Sequence, residues 1–356
     1  MASFAGGGAE KVGVNLANYF SNLDYSVDLL LLKSYGPYRD QVSPNVNIID
    51  LHVTKTRYSI LKLRDYLCTN PKHKVISVYR DTNIVLALSA IGLNNHNLYF
   101  REANPLTYLN DKKLLERTLI KFIMRISYMK AKLIIANSNG TRNDLIDHKV
   151  VKRDKCVVIG NPVIPNNIEE LAKEKINNPW LNNDKIKVIL NIGRLSKEKD
   201  QKTLISAFKL IHIKDTSTRL LIIGVGPQKG FLENHINKLS LNKKVKILDF
   251  VDNPYPFYRL SDVFVLSSTY EGFGNVLVES LSMGTPIVAT NCPGGPSEIL
   301  KYGRFGKLVK VGDSFEMAKA ISKLLGEKNI DNTTYAKNFT VKAIGSKYKN
   351  AIFPEN

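Results

Sequence analysis

The sequence predicts two doubly wound α/β domains in tandem, and three observations carry that prediction. Short, continuously apolar runs alternate with longer helical patterns, as in parallel strands that are buried on both faces and joined by helices. The 356 residues suit two domains of ordinary size. A polar stretch rich in Asn and Pro, roughly residues 161–185, separates two series of runs. We therefore expect domains over residues 1–163 and 164–356, with the last helix a candidate to cross back to the first domain.

Twelve apolar runs are predicted to be strands. The six before the gap are residues 27–32, 46–51, 75–78, 98–100, 133–135 and 157–159. The six after it are residues 188–191, 220–223, 245–248, 263–266, 287–289 and 308–311. Ligands of such sheets bind beyond the carboxyl ends of the strands. Functional residues are therefore expected in the loops after strands, around a cleft that two facing domains would enclose.

Composition narrows the class of protein. Lys and Arg number 51 against 32 Asp and Glu, a formal net charge of +19. This excess favours a polyanionic partner, which could be nucleic acid, an anionic lipid surface or a phosphorylated substrate. Three scattered cysteines without a CxxC pair favour a reducing cytosol over a disulfide framework or a zinc site. The sequence has neither a signal-peptide pattern nor a run long enough to span a bilayer, so a secreted or integral membrane protein is not expected.

Two glycine-containing loops are candidates for binding anions. Gly6, Gly7 and Gly8 directly precede a helical pattern, where glycine lets the backbone approach an anion and the helix N-terminus offers free N–H groups. A plain strand-to-helix turn is the alternative. In the second loop, Arg194 and Lys199 follow a predicted strand and supply two cations that suit a diphosphate. A solvated basic turn is the alternative there.

Two glutamates lie around the start of one predicted helix. Glu271 ends the loop after the strand at 263–266, and Gly272 and Gly274 free the backbone before the helix begins. Glu279 lies eight positions later among apolar neighbours, where a carboxylate usually has a partner. Its two oxygens could accept hydrogen bonds from a vicinal diol such as a ribose. An ordinary exposed helical glutamate is the alternative.

With these motifs in place, the chain resembles glycosyltransferase family 4, which has the GT-B fold. The resemblance covers nearly the whole chain and is strongest over residues 191–300. The Cys-Pro-Gly-Gly-Pro loop at 292–296 is similar to that of bacterial enzymes that build O-antigen, capsule or lipid-linked oligosaccharide. The residues that match the two family motifs are Gly193, Arg194, Leu195 and Lys199 for the first, and Glu271 and Glu279 for the second.

The resemblance implies a role for each matched residue. Arg194 and Lys199 would hold the donor diphosphate, Glu271 would lie by the transferred sugar, and Glu279 would bind the nucleotide ribose. Glu271, Arg194 and Lys199 are thus the expected catalytic residues. The other expected donor contacts are Gly193, Gly226, Val251, Asp252, Gly272, Phe273, Gly274 and Asn275.

The implied reaction is sugar transfer with retention of anomeric configuration. The expected donor is UDP-hexose or UDP-N-acetylhexosamine, and the expected acceptor is a growing saccharide on a polyprenyl diphosphate. The departing diphosphate would help to deprotonate the acceptor hydroxyl. No metal or cofactor is expected, in keeping with the lack of an Asp-x-Asp sequence.

The chain departs from the family pattern in two places. Family members begin with an apolar strand before the glycine loop, usually central in its sheet, whereas five residues precede Gly6. The first strand is therefore expected to be truncated. Many relatives carry a histidine after the fourth strand, near the position of Ala103. Arg101, Glu102 and Asn104 are the candidates for the acceptor side instead.

Residues 111–132 are predicted to form a basic amphipathic helix. Lys113, Arg117, Lys121 and Arg125 recur every four residues beside an apolar face, a pattern that suits an anionic membrane surface. The alternative is a helix packed on the sheet through its apolar side. Because a polyprenyl-diphosphate acceptor lies in the inner leaflet, the resemblance favours peripheral association with the inner face of the cytoplasmic membrane.

Three other functions remain open from the sequence. A GT-B nucleotide-sugar epimerase would need acid–base groups, and the six histidines lie outside the motifs. A nucleic-acid-binding protein would fit the charge, but no RNA- or DNA-binding pattern is visible, so nucleic acid is not an expected partner. A catalytically inactive scaffold is the third alternative, because of the short N-terminus.

Overall fold

The structure, a computed structural model, describes residues 1–5, 7–93, 97–325 and 332–354. It divides into two compact units. The first unit comprises Met1–Pro165 and Phe339–Asn356, and the second comprises Asn166–Asn338. The chain therefore leaves the first unit close to the boundary expected at residue 163. Its last helix returns to the first unit.

All twelve predicted strands are present, each within two residues of its predicted bounds. Continuous apolar runs located them because both faces of these strands are covered. The strands are β1 Val27–Leu31, β2 Val46–Asp50, β3 Lys74–Ser77, β4 Asn97–Glu102, β5 Leu133–Ala136, β6 Cys156–Val158, β7 Lys187–Ile192, β8 Thr218–Ile223, β9 Val245–Leu248, β10 Val263–Leu266, β11 Ile287–Thr290 and β12 Lys307–Val309.

Helices fill the connections between the strands. Several begin at a side-chain cap, as where Ser138 accepts a hydrogen bond from the Thr141 N–H and Asp313 accepts one from the Glu316 N–H. The helices are α1 Gly8–Ser21, α2 Ile60–Thr69, α3 Arg80–Ser89, α4 Leu114–Tyr128, α5 Asn139–Asp147, α6 Ile168–Lys173, α7 Gln201–Lys214, α8 Lys229–Lys238, α9 Tyr255–Leu260, α10 Asn275–Ser282, α11 Pro296–Ile299, α12 Ser314–Leu324, α13 Thr333–Ala336 and α14 Val341–Ile352.

The second unit is built on one six-stranded parallel sheet. Its order is β12-β11-β10-β7-β8-β9. The chain moves outward from β7 through β8 to β9, then returns to the other side of β7 with β10. The core includes Ile189 and Leu220 of the sheet and Phe208 of α7, all fully buried. This arrangement is the doubly wound fold predicted from the sequence, and its topological switch point lies between β7 and β10.

The first unit contains two parallel sheets. One has the order β3-β4-β5-β6, and the other is the pair β1-β2. The C-terminal helix α14 packs on α1. The Ile352 carbonyl at its end accepts hydrogen bonds from Lys74 Nζ at 2.7 Å and Tyr99 Oη at 3.1 Å. The last segment of the chain is therefore joined to the sheet that contains β3 and β4.

Helix α4 presents much of its apolar face to solvent. The exposed fraction is 86% for Leu115 and 60% for Phe122, and 71% for Met129 just after the helix, whereas Met124 and Tyr128 point into the core. The further exposed apolar side chains on this helix are Leu114, Leu119, Ile123 and Ile126. The helix therefore packs on the core through Met124 and Tyr128, whereas the predicted apolar face stays exposed and does not pack on the sheet. Helical periodicity could not distinguish the two cases, because both give an amphipathic pattern.

Candidate functional site

Every motif loop of the second unit lies at one edge of its sheet. Gly193 follows β7, Gly224 follows β8, Ser267 follows β10 and Asn291 follows β11. Because the strands are parallel, their carboxyl ends meet at the same edge. The loops after β7 and β10 are neighbours across the switch point, which is where open α/β sheets bind ligands.

Hydrogen bonds hold the two neighbouring loops together. The Thr269 N–H donates to the Glu198 carbonyl at 2.8 Å, and Ser267 Oγ donates to the Lys199 carbonyl at 2.7 Å. Within the sheet itself, Asn191 Nδ2 of β7 donates to the Val265 carbonyl of β10 at 2.8 Å. The loop after β7 and the loop after β10 therefore form one structural element, although about 70 residues of sequence separate them.

An ion pair joins the two loops at their centre. Lys199 Nζ lies 2.5 Å from Glu271 Oε1, and Ser268 Oγ donates to the same oxygen at 2.7 Å. Glu271 is 9% exposed and Lys199 is partly buried. A buried carboxylate with two donors is fixed in position, since loss of either partner would leave a poorly solvated charge. The structure thus brings together two of the three predicted catalytic residues.

Arg194 provides a second cation in the loop that carries Lys199. Its side chain is exposed, and its carbonyl accepts a hydrogen bond from Gln201 Nε2 at 3.1 Å. A guanidinium and an ammonium in one short loop can bind adjacent phosphoryl groups of a diphosphate.

The two glycines after β8, Gly224 and Gly226, pack on the loop after β7. Gly224 has φ +153°, and a Cβ there would come within 2.0 Å of the Gly193 carbonyl oxygen. A Cβ at Gly226 would lie 2.3 Å from the Leu195 carbonyl oxygen. These glycines therefore allow close approach of the chain's own backbone, which fixes the loop that carries Arg194.

The loop after β11 supports Glu271 from the other side. The Glu271 N–H donates to the Pro293 carbonyl at 3.0 Å, and Glu271 forms a parallel bridge with Gly294. Gly294 has φ +117°, and a Cβ there would lie 1.5 Å from the Glu271 carbonyl oxygen, so only glycine fits. Burial, and then the Glu271 charge, raise the pKa of Cys292 to about 12, so this thiol stays protonated at neutral pH.

Glu279 has a partner that sequence reasoning missed. Tyr258 Oη of α9 donates to Glu279 Oε2 at 2.9 Å. Burial and the adjacent carboxylate raise the pKa of Tyr258 well above its ordinary value, so the phenol remains a donor. Glu279 itself is half-buried. The apolar neighbours in the sequence indicated a partner but gave no signal for which one.

The remaining predicted donor contacts lie around the same edge. Gly274 begins α10 with φ +99°, next to the half-buried Asn275. Gly272 and Phe273 are buried. In the loop after β9, Val251 is half-buried and Asp252 is exposed.

The predicted acceptor residues divide into buried and exposed side chains. Arg101 and Glu102 are each 1% exposed, so both side chains are buried. Arg101 donates to Asn161 Oδ1 at 2.6 Å, and Glu102 pairs with Arg80 at 3.3 Å. Strand β4 continues through Glu102, two residues beyond its predicted end, which carries both side chains into the interior. Asn104 is exposed.

The N-terminal glycine loop is described only in part. Gly6 lies outside the described residues, whereas Gly7 caps α1 and Gly8 is its first residue. The Glu10 carboxylate folds back over Gly7, so that a Cβ at Gly7 would lie 2.2 Å from Glu10 Oε2. A carboxylate of the chain itself therefore lies at this helix N-terminus, where an anion was expected.

Within residues 1–5, 7–93, 97–325 and 332–354, no group of three His, Cys, Asp or Glu side chains is placed to hold a metal ion. None of the helices in these ranges is long and apolar enough to cross a bilayer.

Both parts of the chain match known families. Residues 6–167 match the family described as Glycosyltransferase Family 4, and residues 172–340 match the one described as Glycosyl transferases group 1. Together the two matches cover nearly the whole chain.

Similar proteins agree with this assignment. N-acetylgalactosamine-N,N'-diacetylbacillosaminyl-diphospho-undecaprenol 4-alpha-N-acetylgalactosaminyltransferase of Campylobacter jejuni is 31% identical over 92% of this chain and 89% of its own. The Staphylococcus aureus capsular polysaccharide biosynthesis glycosyltransferase CapM is 31% identical over 59% of this chain and 56% of its own. The crystal structure of Anabaena HepE with UDP and glucose superposes with a TM-score of 0.79 at 19% identity, covering 100% of this chain and 98% of HepE. The chain therefore belongs to glycosyltransferase family 4, and it is a glycosyltransferase with the GT-B fold that the sequence predicted.

Proposed function

We propose that this protein transfers a hexose or N-acetylhexosamine from a UDP-sugar to a lipid-linked saccharide of a bacterial cell-surface glycan, with retention of configuration. The observation that carries the proposal is the Lys199–Glu271 pair at the switch point of the second unit, with Arg194 in the same loop. Two cations beside a fixed carboxylate suit a donor that combines a diphosphate with a sugar.

The proposed donor site assigns one task to each charged group. Arg194 and Lys199 bind the diphosphate and stabilise the charge that grows on it as it departs. Glu271 lies by the transferred sugar and holds Lys199 in place. Glu279, oriented by Tyr258, accepts hydrogen bonds from the ribose hydroxyls. The UDP bound in HepE, a protein of the same fold, favours uridine as the base.

The proposed reaction exchanges one bond at the anomeric carbon. The bond to the diphosphate oxygen breaks, and a bond to the acceptor oxygen forms on the same face of the sugar. The acceptor proton passes to the departing diphosphate, which leaves as UDP. The chain's contribution is to hold the diphosphate, keep the sugar in position and stabilise developing negative charge.

The lipid-linked acceptor is supported by α4 and by the relatives. The Campylobacter relative is named for a saccharide linked to diphospho-undecaprenol, and CapM is named for capsular polysaccharide. Exposed apolar side chains and exposed Arg125 share α4, a combination that suits an anionic bilayer surface. We infer peripheral association with the cytoplasmic face of the membrane through this helix.

A panel of nucleotide sugars tests this proposal. The purified protein is incubated with UDP-, GDP- and dTDP-linked sugars and a polyprenyl-diphosphate monosaccharide, and sugar in the lipid extract is measured. We expect transfer from a UDP-hexose or UDP-N-acetylhexosamine, and an anomeric configuration in the product that matches the donor. Transfer from a GDP- or dTDP-sugar alone would contradict the proposed donor, and isomerisation of the donor without transfer would favour the epimerase.

A further inference from the structure

Two side-chain hydrogen bonds join α6, the first helix of the second unit, to α9. Asn253 Nδ2, in the loop before α9, donates to the Leu171 carbonyl at 2.7 Å. Arg259 Nε, near the end of α9, donates to the Ala172 carbonyl at 2.7 Å. Both carbonyls belong to the last turn of α6, where carbonyl groups have few partners within the helix itself. The two ends of α9 are therefore fixed to the same turn of α6, and the two helices also pack on each other.

The Asn253 side chain also holds the start of α9. Its Oδ1 accepts a hydrogen bond from the Tyr255 N–H at 3.1 Å. Pro254 and Pro256 lie on either side of this N–H and have no backbone donor of their own. One half-buried amide thus bonds in two directions, with its NH₂ group on α6 and its oxygen on α9. Because both ends of the amide are bonded, the loop that carries it is held in one orientation.

Helix α9 and the loop before it lie beside the group proposed to bind the ribose. Tyr258 of α9 donates to Glu279 at 2.9 Å. Val251 and Asp252, two of the expected donor contacts, directly precede Asn253 in the loop after β9. The support that Asn253 provides therefore reaches this loop directly and reaches the Tyr258 hydroxyl through α9.

We propose that Asn253 is a positioning residue for the nucleoside half of the donor. By bridging α6 and α9, it holds the loop after β9 and the Tyr258 hydroxyl in the geometry that receives the base and the ribose. The inference rests on the proposed function, which assigns the ribose to Glu279. The diphosphate is assigned to the loop after β7, and none of the bonds that Asn253 makes involves that loop. Asn253 therefore acts on the nucleoside and not on the diphosphate.

Calorimetric titrations with UDP and with inorganic diphosphate test the proposal. Asn253→Ala removes both bonds, whereas Asn253→Asp keeps an acceptor for the Tyr255 N–H but cannot donate to the Leu171 carbonyl. We expect each substitution to weaken UDP binding by about tenfold or more, and to leave diphosphate binding within about twofold of the parent. Asn237→Ala, at an exposed position on α8, is the matched control and should change neither affinity.

The transfer reaction gives a second measurement. We expect Asn253→Ala to raise KM for the donor and to leave kcat within about twofold of the parent, because bound donor still meets the same Lys199 and Glu271. A merely structural defect would lower the thermal midpoint and weaken UDP and diphosphate binding alike, and that result would overturn the proposal. Parental UDP affinity in Asn253→Asp would also overturn it, because the bond to α6 would then be dispensable.

The parent protein separates this inference from the proposed function. A parent that binds diphosphate but not UDP would contradict the proposed donor site, and the positioning role would fail with it. A parent that binds UDP, together with an Asn253→Ala variant that binds it equally well, would leave the proposed function standing and overturn the positioning role alone.

Discussion

Replacing Glu271 by glutamine is expected to lower kcat/KM for sugar transfer by about 100-fold or more. The substitution keeps the size of the side chain and its contact with Ser268, but it removes the charge that positions Lys199. Deleting one preorganised electrostatic contact in other active sites costs about 10²–10³-fold in kcat. The measurement is initial-rate transfer to the lipid-linked acceptor.

Glu233→Gln is the matched control for this variant. Glu233 is an exposed carboxylate on α8 of the same unit, outside the loops that form the site. The control should leave kcat/KM unchanged. Both variants should retain the thermal midpoint of the parent within a few degrees, which separates lost catalysis from lost folding. Transfer by Glu271→Gln at the parental rate would contradict the assignment of this residue.

A double substitution on α4, Leu115→Asp with Phe122→Asp, is expected to reduce binding to anionic vesicles by about 100-fold. Full burial of an apolar side chain of this size is worth about 1.5–3 kcal/mol, and both side chains are exposed in the structure. The new charges also repel an anionic surface, where each basic residue contributes about 1 kcal/mol. Flotation with vesicles of phosphatidylglycerol and phosphatidylcholine measures the partition.

The matched control carries the same charge change on the second unit. Ile213→Asp with Phe231→Asp replaces two other exposed apolar residues. Ile213 is on α7 and Phe231 is on α8. This control should bind anionic vesicles nearly as well as the parent. The parent should also bind vesicles of phosphatidylcholine alone more weakly. Equal recovery of the parent with neutral and anionic vesicles, or equal binding by the two double variants, would contradict membrane association through α4.

The strands could be predicted because their burial leaves a local pattern. A parallel strand covered on both faces reads as an unbroken apolar run, and each of the twelve runs became a strand. Which strands are neighbours within the sheet could not be predicted in this way. The adjacency of β7 and β10 brings Lys199 to Glu271 across 72 positions, and sequence spacing alone contains no such information.

Burial of polar side chains was the least predictable feature. Arg101 and Glu102 were expected near the acceptor. Because β4 extends two residues beyond its predicted end, both belong to the strand and their side chains are buried. Tyr258 was missed as the partner of Glu279 because the packing of α9 beside α10 decides that contact. Conversely, the apolar face of α4 was identified, and only tertiary structure could show that solvent reaches it.

Titration with UDP tests the central claim most directly, which is that the carboxyl edge of the second unit's sheet binds a nucleotide diphosphate through Arg194 and Lys199. Isothermal titration calorimetry is performed on the parent and on Arg194→Ala and Lys199→Ala, with uridine as the matched ligand without phosphate. We expect each substitution to weaken UDP binding by about tenfold or more, since a hydrogen bond to a charged group contributes about 1.5–3 kcal/mol. Uridine binding should not change. Equal UDP affinity in the parent and both variants would contradict the account.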